Sequence, residues 1–393
     1  MQRILFIHQS SEIGGGSYCL LNVVKALDKS MWEPVVALKS HGPLEEELRK
    51  MDVVVVLFPQ MTGIPYNLPL SPRNILTYWY IKDSEKACEE LLKREQIDVL
   101  YLNNMMIAPY LRPAKRVGCK TVMHVREHWP LDEHKKQLEW VRKIVYENCD
   151  RLIALNQYSA SIFPKMEATI VYDWIDMGSR YQPMPMNDIF DEDMKGKKVY
   201  LFTGGIQPIK GALQVLTAFV NEIKDTDARL LCLGLNPQVE TESLRGKVKF
   251  LLTKIGYYTY NWKVKRLIER DNRIKVIHSI YMLADIMQQC FCNLSYFTIP
   301  HANLAMAEAE IMGLPSVAAL NEEALEYSLN GQCAELYESN NYSSFVKAIK
   351  NMCDNYESYK SIIKEKAQII ANKFDKESNI ILLQRTLSSV IEK

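Results

Sequence analysis

Short runs of aliphatic and β-branched residues alternate with longer stretches of helical period from the first residues onward. Residues 4–8, 34–38, 53–57, 99–102, 121–125, 152–155 and 170–171 read as strands, and 20–27, 44–51, 75–94 and 134–149 as helices. Strands alternating with helices imply a parallel sheet covered on both faces. The alternation breaks between 179 and 198, where a Pro-Met near-repeat (Gln182-Pro183-Met184-Pro185-Met186) and an acidic cluster carry no apolar period and read as a linker.

A second alternation starts at 199–203 and continues through 228–233, 274–278, 293–296, 315–319 and 334–336. Each half opens as strand, glycine loop, helix. That repetition predicts an α/β protein with two Rossmann-like, doubly wound domains facing a central cleft. Helices at 342–354 and 357–393 close the chain, with a turn signal near Phe374.

Length and composition agree with this picture. The 393 residues exceed what one core serves, and 48% hydrophobic with 24% charged residues is ordinary for a globular chain. A net charge of +1 gives no global attraction to nucleic acid. Nine scattered cysteines imply reduced thiols, and Cys290-x-Cys292 lacks the second pair that a metal site needs, so no metal is expected. Residues 3–8 read as a strand rather than a leader, and the longest apolar run, 53–58, is too short for a bilayer. A cytoplasmic protein is expected, peripheral to the inner face of a membrane at most.

Four stretches bear on chemistry. Gly14-Gly15-Gly16-Ser17 follows the first strand and offers free amides at a helix start, suited to a phosphate or polar acceptor; a flexible turn is the other reading. It is not the spaced glycine fingerprint of dinucleotide folds. Thr203-Gly204-Gly205 leads to Lys210-Gly211, where an ammonium entering a helix can meet a phosphate or simply face water. Pro300-His301-Ala302-Asn303-Leu304 opens a small-residue helix, with Glu308 about 9 Å along from Ala302 at 1.5 Å per residue. That spacing suits a diphosphate at the amides and a ribose at the carboxylate, or an ordinary solvated glutamate. Glu310, about 200° around the helix from Glu308, is expected to face solvent or a basic neighbour.

The fourth stretch is His124-Val125-Arg126-Glu127-His128, which spells a zinc-peptidase order but ends a strand, so that reading is rejected and His124 is placed toward a ligand. Between 112 and 143, nine Lys and Arg face four acids, with Leu131, Leu138, Trp140 and Val141 interleaved. This is a solvated helix face or a surface for anionic lipid. Residues 247–273, with Tyr257, Tyr258, Tyr260 and Trp262, read as a packed helical insertion.

In order and spacing these stretches resemble the large group-1 family of retaining GT-B glycosyltransferases, which includes many bacterial capsule and lipopolysaccharide enzymes. Gly14 to Ser17, His124, the 171–176 element, Lys210-Gly211 and Glu308 with Gly313-x-Pro315 all match family positions. Gly205 stands where the family has a phosphate-binding arginine, Pro300 replaces the first glutamate of E-x7-E, Asn303 replaces a glycine, and Glu322-Glu323 a glycine pair.

The resemblance implies an acceptor-binding domain at 1–178, a linker at 179–198 and a donor-nucleotide domain at 199–374, with the helix 375–393 packing back on the first domain. It implies metal-independent hexose transfer with retention, from a UDP- or GDP-linked sugar to a glycan or polyprenyl-diphosphate-linked acceptor, in surface polysaccharide synthesis. The nucleotide sugar is substrate, and no cofactor is expected. Lys210 and His124 are the catalytic candidates. Gly204, Gly205, Lys210, His301, Asn303, Leu304 and Glu308 are the donor candidates, and Gly15, Gly16, Ser17 and His124 lie on the acceptor side. A sugar-nucleotide epimerase or phosphorylase of the same architecture, and a non-catalytic interaction module, are the alternative readings.

Overall fold

The computed structural model describes residues 1–64, 72–129, 131, 134–175, 185–238, 258–278, 283–301 and 303–392. Pro130, Asp176, Ala302, the Pro-Met repeat through Met184 and the insertion through Tyr257 lie outside the described residues. The chain divides into two compact units, Met1–Trp174 with Asp375–Lys393, and Ile175–Phe374.

The first unit holds strands β1 Gln2–His8, β2 Trp32–Leu38, β3 Val54–Leu57, β4 Val99–Leu102, β5 Lys120–Val125, β6 Arg151–Ala154 and β7 Ala168–Ile170. They form one parallel sheet in the order β3-β2-β1-β4-β5-β6-β7. Along β1, Ile4 and Phe6 enter one core with Tyr101, while Leu5 and Ile7 enter the opposite core with Leu100 and Leu102. This two-sided burial is why residues 4–7 form an unbroken apolar run.

The last helix, Lys376–Ile391, carries Leu383, Leu387 and Val390 at i, i+4 and i+7 into the core that holds Ile4 and Phe6. Burying each leucine fully stabilises by about 2 kcal/mol. The helix starts cleanly because the Asp375 carboxylate accepts the Ser378 N–H at 2.8 Å. The helix after the glycine loop begins at Gly15, five residues before the apolar period becomes visible at Leu20.

The second unit repeats the design with β8 Lys198–Phe202, β9 Ala228–Leu233, β10 Ile274–Ile277, β11 Cys292–Leu294, β12 Ser316–Ala319 and β13 Ala334–Tyr337. Their parallel order is β10-β9-β8-β11-β12-β13. Part of the stretch read as a linker is folded: Met186–Phe190 is a helix whose Met186 and Ile189 cover Val199, Leu201 and Leu231. Five residues are too few for a period to show, and the sheet beneath them supplies the stability. Glu192 then anchors the segment through Arg229, Nη2 to Oε2 2.6 Å. Of the 247–273 insertion, Tyr260–Arg270 is a helix with Val264 buried.

In both sheets the strand order reverses once, between β1 and β4 and between β8 and β11. Loops leaving the carboxyl ends at such a point diverge and leave a crevice for a ligand. Among the described residues no helix is long and apolar enough to cross a membrane.

Candidate functional site

At the reversal point of the first sheet, polar residues from three strands interlock. His8 ends β1, Asn103 follows β4, and His124 lies next to last in β5. The Asn103 amide donates to His8 Nδ1 at 3.2 Å, so the imidazole proton sits on Nε2, 3.3 Å from the Ser17 hydroxyl. Ser17 donates in turn to the Glu12 carbonyl at 2.6 Å. Burial and the Arg126 charge push His8 down to about 4, so the ring is neutral. Above it Gly14 is extended, its carbonyl accepts the amides of Ser17 and Tyr18, and the amides of Gly15 and Gly16 have no partner among the described residues.

His124 is placed differently from the expectation that it reaches a ligand. It is 1% exposed. Its Nδ1 lies 2.6 Å from the Tyr101 hydroxyl and 3.1 Å from Arg126 Nη2, while Nε2 is buried without a hydrogen-bond partner. Burial, reinforced by Arg126, holds it well below the usual histidine range. The strand end carries the side chain inward, beneath the site.

Arg126 ties the cluster together. Its Nε donates to Asn103 Oδ1 at 3.0 Å and its Nη1 pairs with Asp173, whose other oxygen accepts the Cys19 thiol at 3.0 Å. His8, Asn103, Arg126 and Asp173 were not among the sequence candidates. The signal that could have found them is their position, each at or just beyond the end of a predicted strand. His128, the last residue of the peptidase-like string, stacks on Tyr158 at 4.2 Å.

The second unit's reversal point has a different character. Gly204 and Gly205 leave β8, a single 3-10 turn spans Pro208–Lys210, and Gly211 opens the helix Ala212–Glu222. Gly205 has φ +64°, a left-handed conformation that disfavours the arginine found there in the family. Gly211 has φ +68°, and a Cβ there would lie 2.5 Å from the Tyr296 carbonyl oxygen, so only glycine fits. Lys210 Nζ sits 4.7 Å from the ring centre of Phe297, and burial pushes its amine down to about 8. No carboxylate among the described residues pairs with it.

Asn303 caps the helix Leu304–Ile311: its oxygen accepts the Met306 N–H, and its amide donates to Ser295 Oγ at 2.9 Å. An asparagine in the family's glycine position is thus a helix start held to the end of β11. His301 packs against Phe297, ring centres 5.4 Å apart. Lys210, Phe297, His301, Asn303 and Leu304 therefore gather beyond β8 and β11. Glu308, one turn further along the helix, is half-buried, and burial raises its carboxyl to about 7.

Of the two placements expected for Glu310, the structure excludes solvent, while the basic neighbour is present in Lys373 as a weak pull only. Glu310 is fully buried, neither carboxylate oxygen has a hydrogen-bond partner, and burial pushes it up to about 8 against the weaker pull of Lys373. The helix lies between β12 and the helix Tyr356–Lys373, so both its flanks are covered.

The positive stretch at 112–143 is largely neutralised in three dimensions. Arg112 pairs with Glu85, Lys115 with Asp150, Arg116 with Glu89, Arg126 with Asp173 and Arg142 with Glu139. Helix Pro72–Arg94 instead exposes Leu76, Trp79 and Tyr80 at i, i+3 and i+4, with Trp79 73% accessible. No group of three metal-ligating side chains occurs among the described residues.

Residues 13–176 match the family model for Glycosyltransferase Family 4. HepE of Anabaena, solved with UDP-glucose, superposes with a TM-score of 0.72 at 18% identity, covering 99% of this chain and 100% of that one. The fold is GT-B. Sucrose-phosphate synthase of Thermosynechococcus elongatus shares it at a TM-score of 0.70 and 12% identity, with both chains fully covered. So does TarM of S. aureus, solved with fondaparinux, alpha-GlcNAc-glycerol and UDP, at 0.66 and 10% identity over 98% of this chain and 99% of that one. No curated protein sequence matches the chain. The residues that match the family model fall almost wholly in the first unit.

Proposed function

We propose that the chain is a hexosyltransferase using a UDP- or GDP-linked sugar, acting with retention and without a metal, on a glycan or polyprenyl-diphosphate-linked acceptor in surface polysaccharide synthesis. The observation that carries this reading is Lys210, an ammonium without a carboxylate partner where the second sheet reverses its strand order. A fixed cation there meets the charge that grows on a departing diphosphate, and the start of the helix Leu304–Ile311 adds amide donors. Glu308 would take the donor ribose and His301 would stand in for the missing arginine charge.

The acceptor belongs at Gly15, Gly16, Ser17 and His8 in the first unit, which presents neutral polar groups suited to a hydroxyl. His124 supports that floor from below. The family 4 match and the UDP-glucose held by HepE support the transfer reading. The exposed Leu76, Trp79 and Tyr80 support peripheral contact with a membrane, where amphipathic rings are favoured.

A thermal-shift panel of sugar nucleotides tests the donor, since a ligand at about 100 times its dissociation constant stabilises by about 2.7 kcal/mol. The matching donor is then assayed with and without acceptor glycans, in chelator, on wild type and Lys210→Ala. Transfer with acceptor, unaffected by chelator and lost in the variant, is expected. Turnover of the donor without acceptor would mark an epimerase, and absence of any nucleotide binding an interaction module.

A further inference from the structure

Two loops are fastened together around Lys210. The Lys210 N–H donates to the Gln207 carbonyl at 2.9 Å, closing its turn, and the Ile209 carbonyl accepts the Thr298 N–H at 3.0 Å. On the far side, the Phe297 N–H donates to the Tyr337 hydroxyl at 3.3 Å, which donates to the Ser295 carbonyl. Tyr337 itself is stacked on Tyr296, the residue that fills the space beside Gly211. The Phe297 ring, buried at 6% exposure, is therefore held from both sides against the lysine turn.

Lys210 is half-buried, and withdrawing an ammonium from water without a counter-ion is costly. The face of a phenyl ring carries negative charge density, and a desolvated cation over it gains up to about 2 kcal/mol. Among the described residues this ring is the group that meets the Lys210 charge.

We propose that Phe297 is a positioning residue for anion binding, its ring keeping the Lys210 ammonium in place and charged both before and after a diphosphate-bearing ligand binds. This rests on the reading of Lys210 as the diphosphate contact. The sign of the consequence follows from the two opposing effects. Burial has already pushed the amine down to about 8, and the ring opposes that descent, so losing the ring lowers it further. A fall of about one pH unit, the size of a desolvated cation–ring contact, leaves binding unchanged near pH 6 and weakens it roughly eightfold near pH 8.5.

The test is calorimetric titration of the full chain with inorganic pyrophosphate at those two pH values. The proteins are wild type, Phe297→Leu, Phe297→Tyr, Lys210→Ala, and a series with mono-, di- and trifluorophenylalanine at 297. The leucine variant should match wild type near pH 6 and bind roughly eightfold more weakly near pH 8.5, with tyrosine restoring affinity. Fluorination withdraws charge from the ring face with little change of shape, so the loss should grow with each fluorine even if the leucine variant does not fold. A loss equal at both pH values, or no gradation with fluorine, would overturn the positioning role while Lys210→Ala still abolished binding. Pyrophosphate binding that survives Lys210→Ala would overturn the reading of Lys210 itself.

Discussion

Replacing Glu310 by glutamine should remove one large contribution to the pH dependence of the protein's stability. The carboxyl moves from its ordinary 4.5 to about 8 because it is buried without a hydrogen-bond partner. A group whose pKa is raised by folding contributes stability that is complete below the unfolded value and lost as pH rises through the folded one. The window here runs from 4.5 to about 8. Each unit is worth about 1.4 kcal/mol, so keeping the carboxyl neutral costs about 3 kcal/mol at pH 7 and under about 1 kcal/mol at pH 5. Denaturation by urea at both pH values, followed by circular dichroism, measures the difference. Wild type should lose about 2 kcal/mol more than Glu310→Gln between pH 5 and pH 7, and any fixed cost of the buried amide cancels. Parallel behaviour of the two proteins would mean that the carboxyl is ionised in the fold, paired to Lys373 or hydrated, and the reasoning would be wrong. Donor kinetics separate this from function: Glu308→Gln should cost about 1.5–3 kcal/mol in donor use, whereas Glu310→Gln should leave it nearly unchanged.

Nucleotide binding should have a narrow pH optimum. The Glu308 carboxylate forms as pH rises through about 7 and the Lys210 ammonium is lost through about 8, so UDP affinity measured by calorimetry should fall on either side; a flat profile from pH 6 to 9 would rule out one of the two contacts. Asp173→Ala strands the Arg126 guanidinium, whose side chain is only 9% exposed, and should cost about 3–5 kcal/mol of stability by urea denaturation. Gly211→Ala forces a side chain into a left-handed backbone against the Tyr296 carbonyl and should lower stability by about 2 kcal/mol or more, along with pyrophosphate affinity; an unchanged melt would show that the turn can rearrange.

By itself the sequence determined the architecture. Strand alternating with helix, in runs such as Ile4 to Ile7 and Val99 to Leu102, announces a parallel sheet covered on both faces before any contact is known. Glycine loops mark where each first strand hands over to its helix. What the pattern could not carry is which polar groups meet. His8, Asn103, Arg126 and Asp173 converge only because β1, β4 and β5 lie side by side, and no periodicity links positions that far apart. Charge behaved likewise, since the carboxylates that neutralise the 112–143 stretch come from other elements as well as from within it.

Glu308 and Glu310 make the same division on one helix. Their angular separation is fixed by 3.6 residues per turn and was correct from the sequence. Which of the two is covered depends on a second layer, the helix Tyr356–Lys373, that closes over the flank expected to be open. Local geometry is written in neighbouring residues, whereas burial is a property of everything that packs against them.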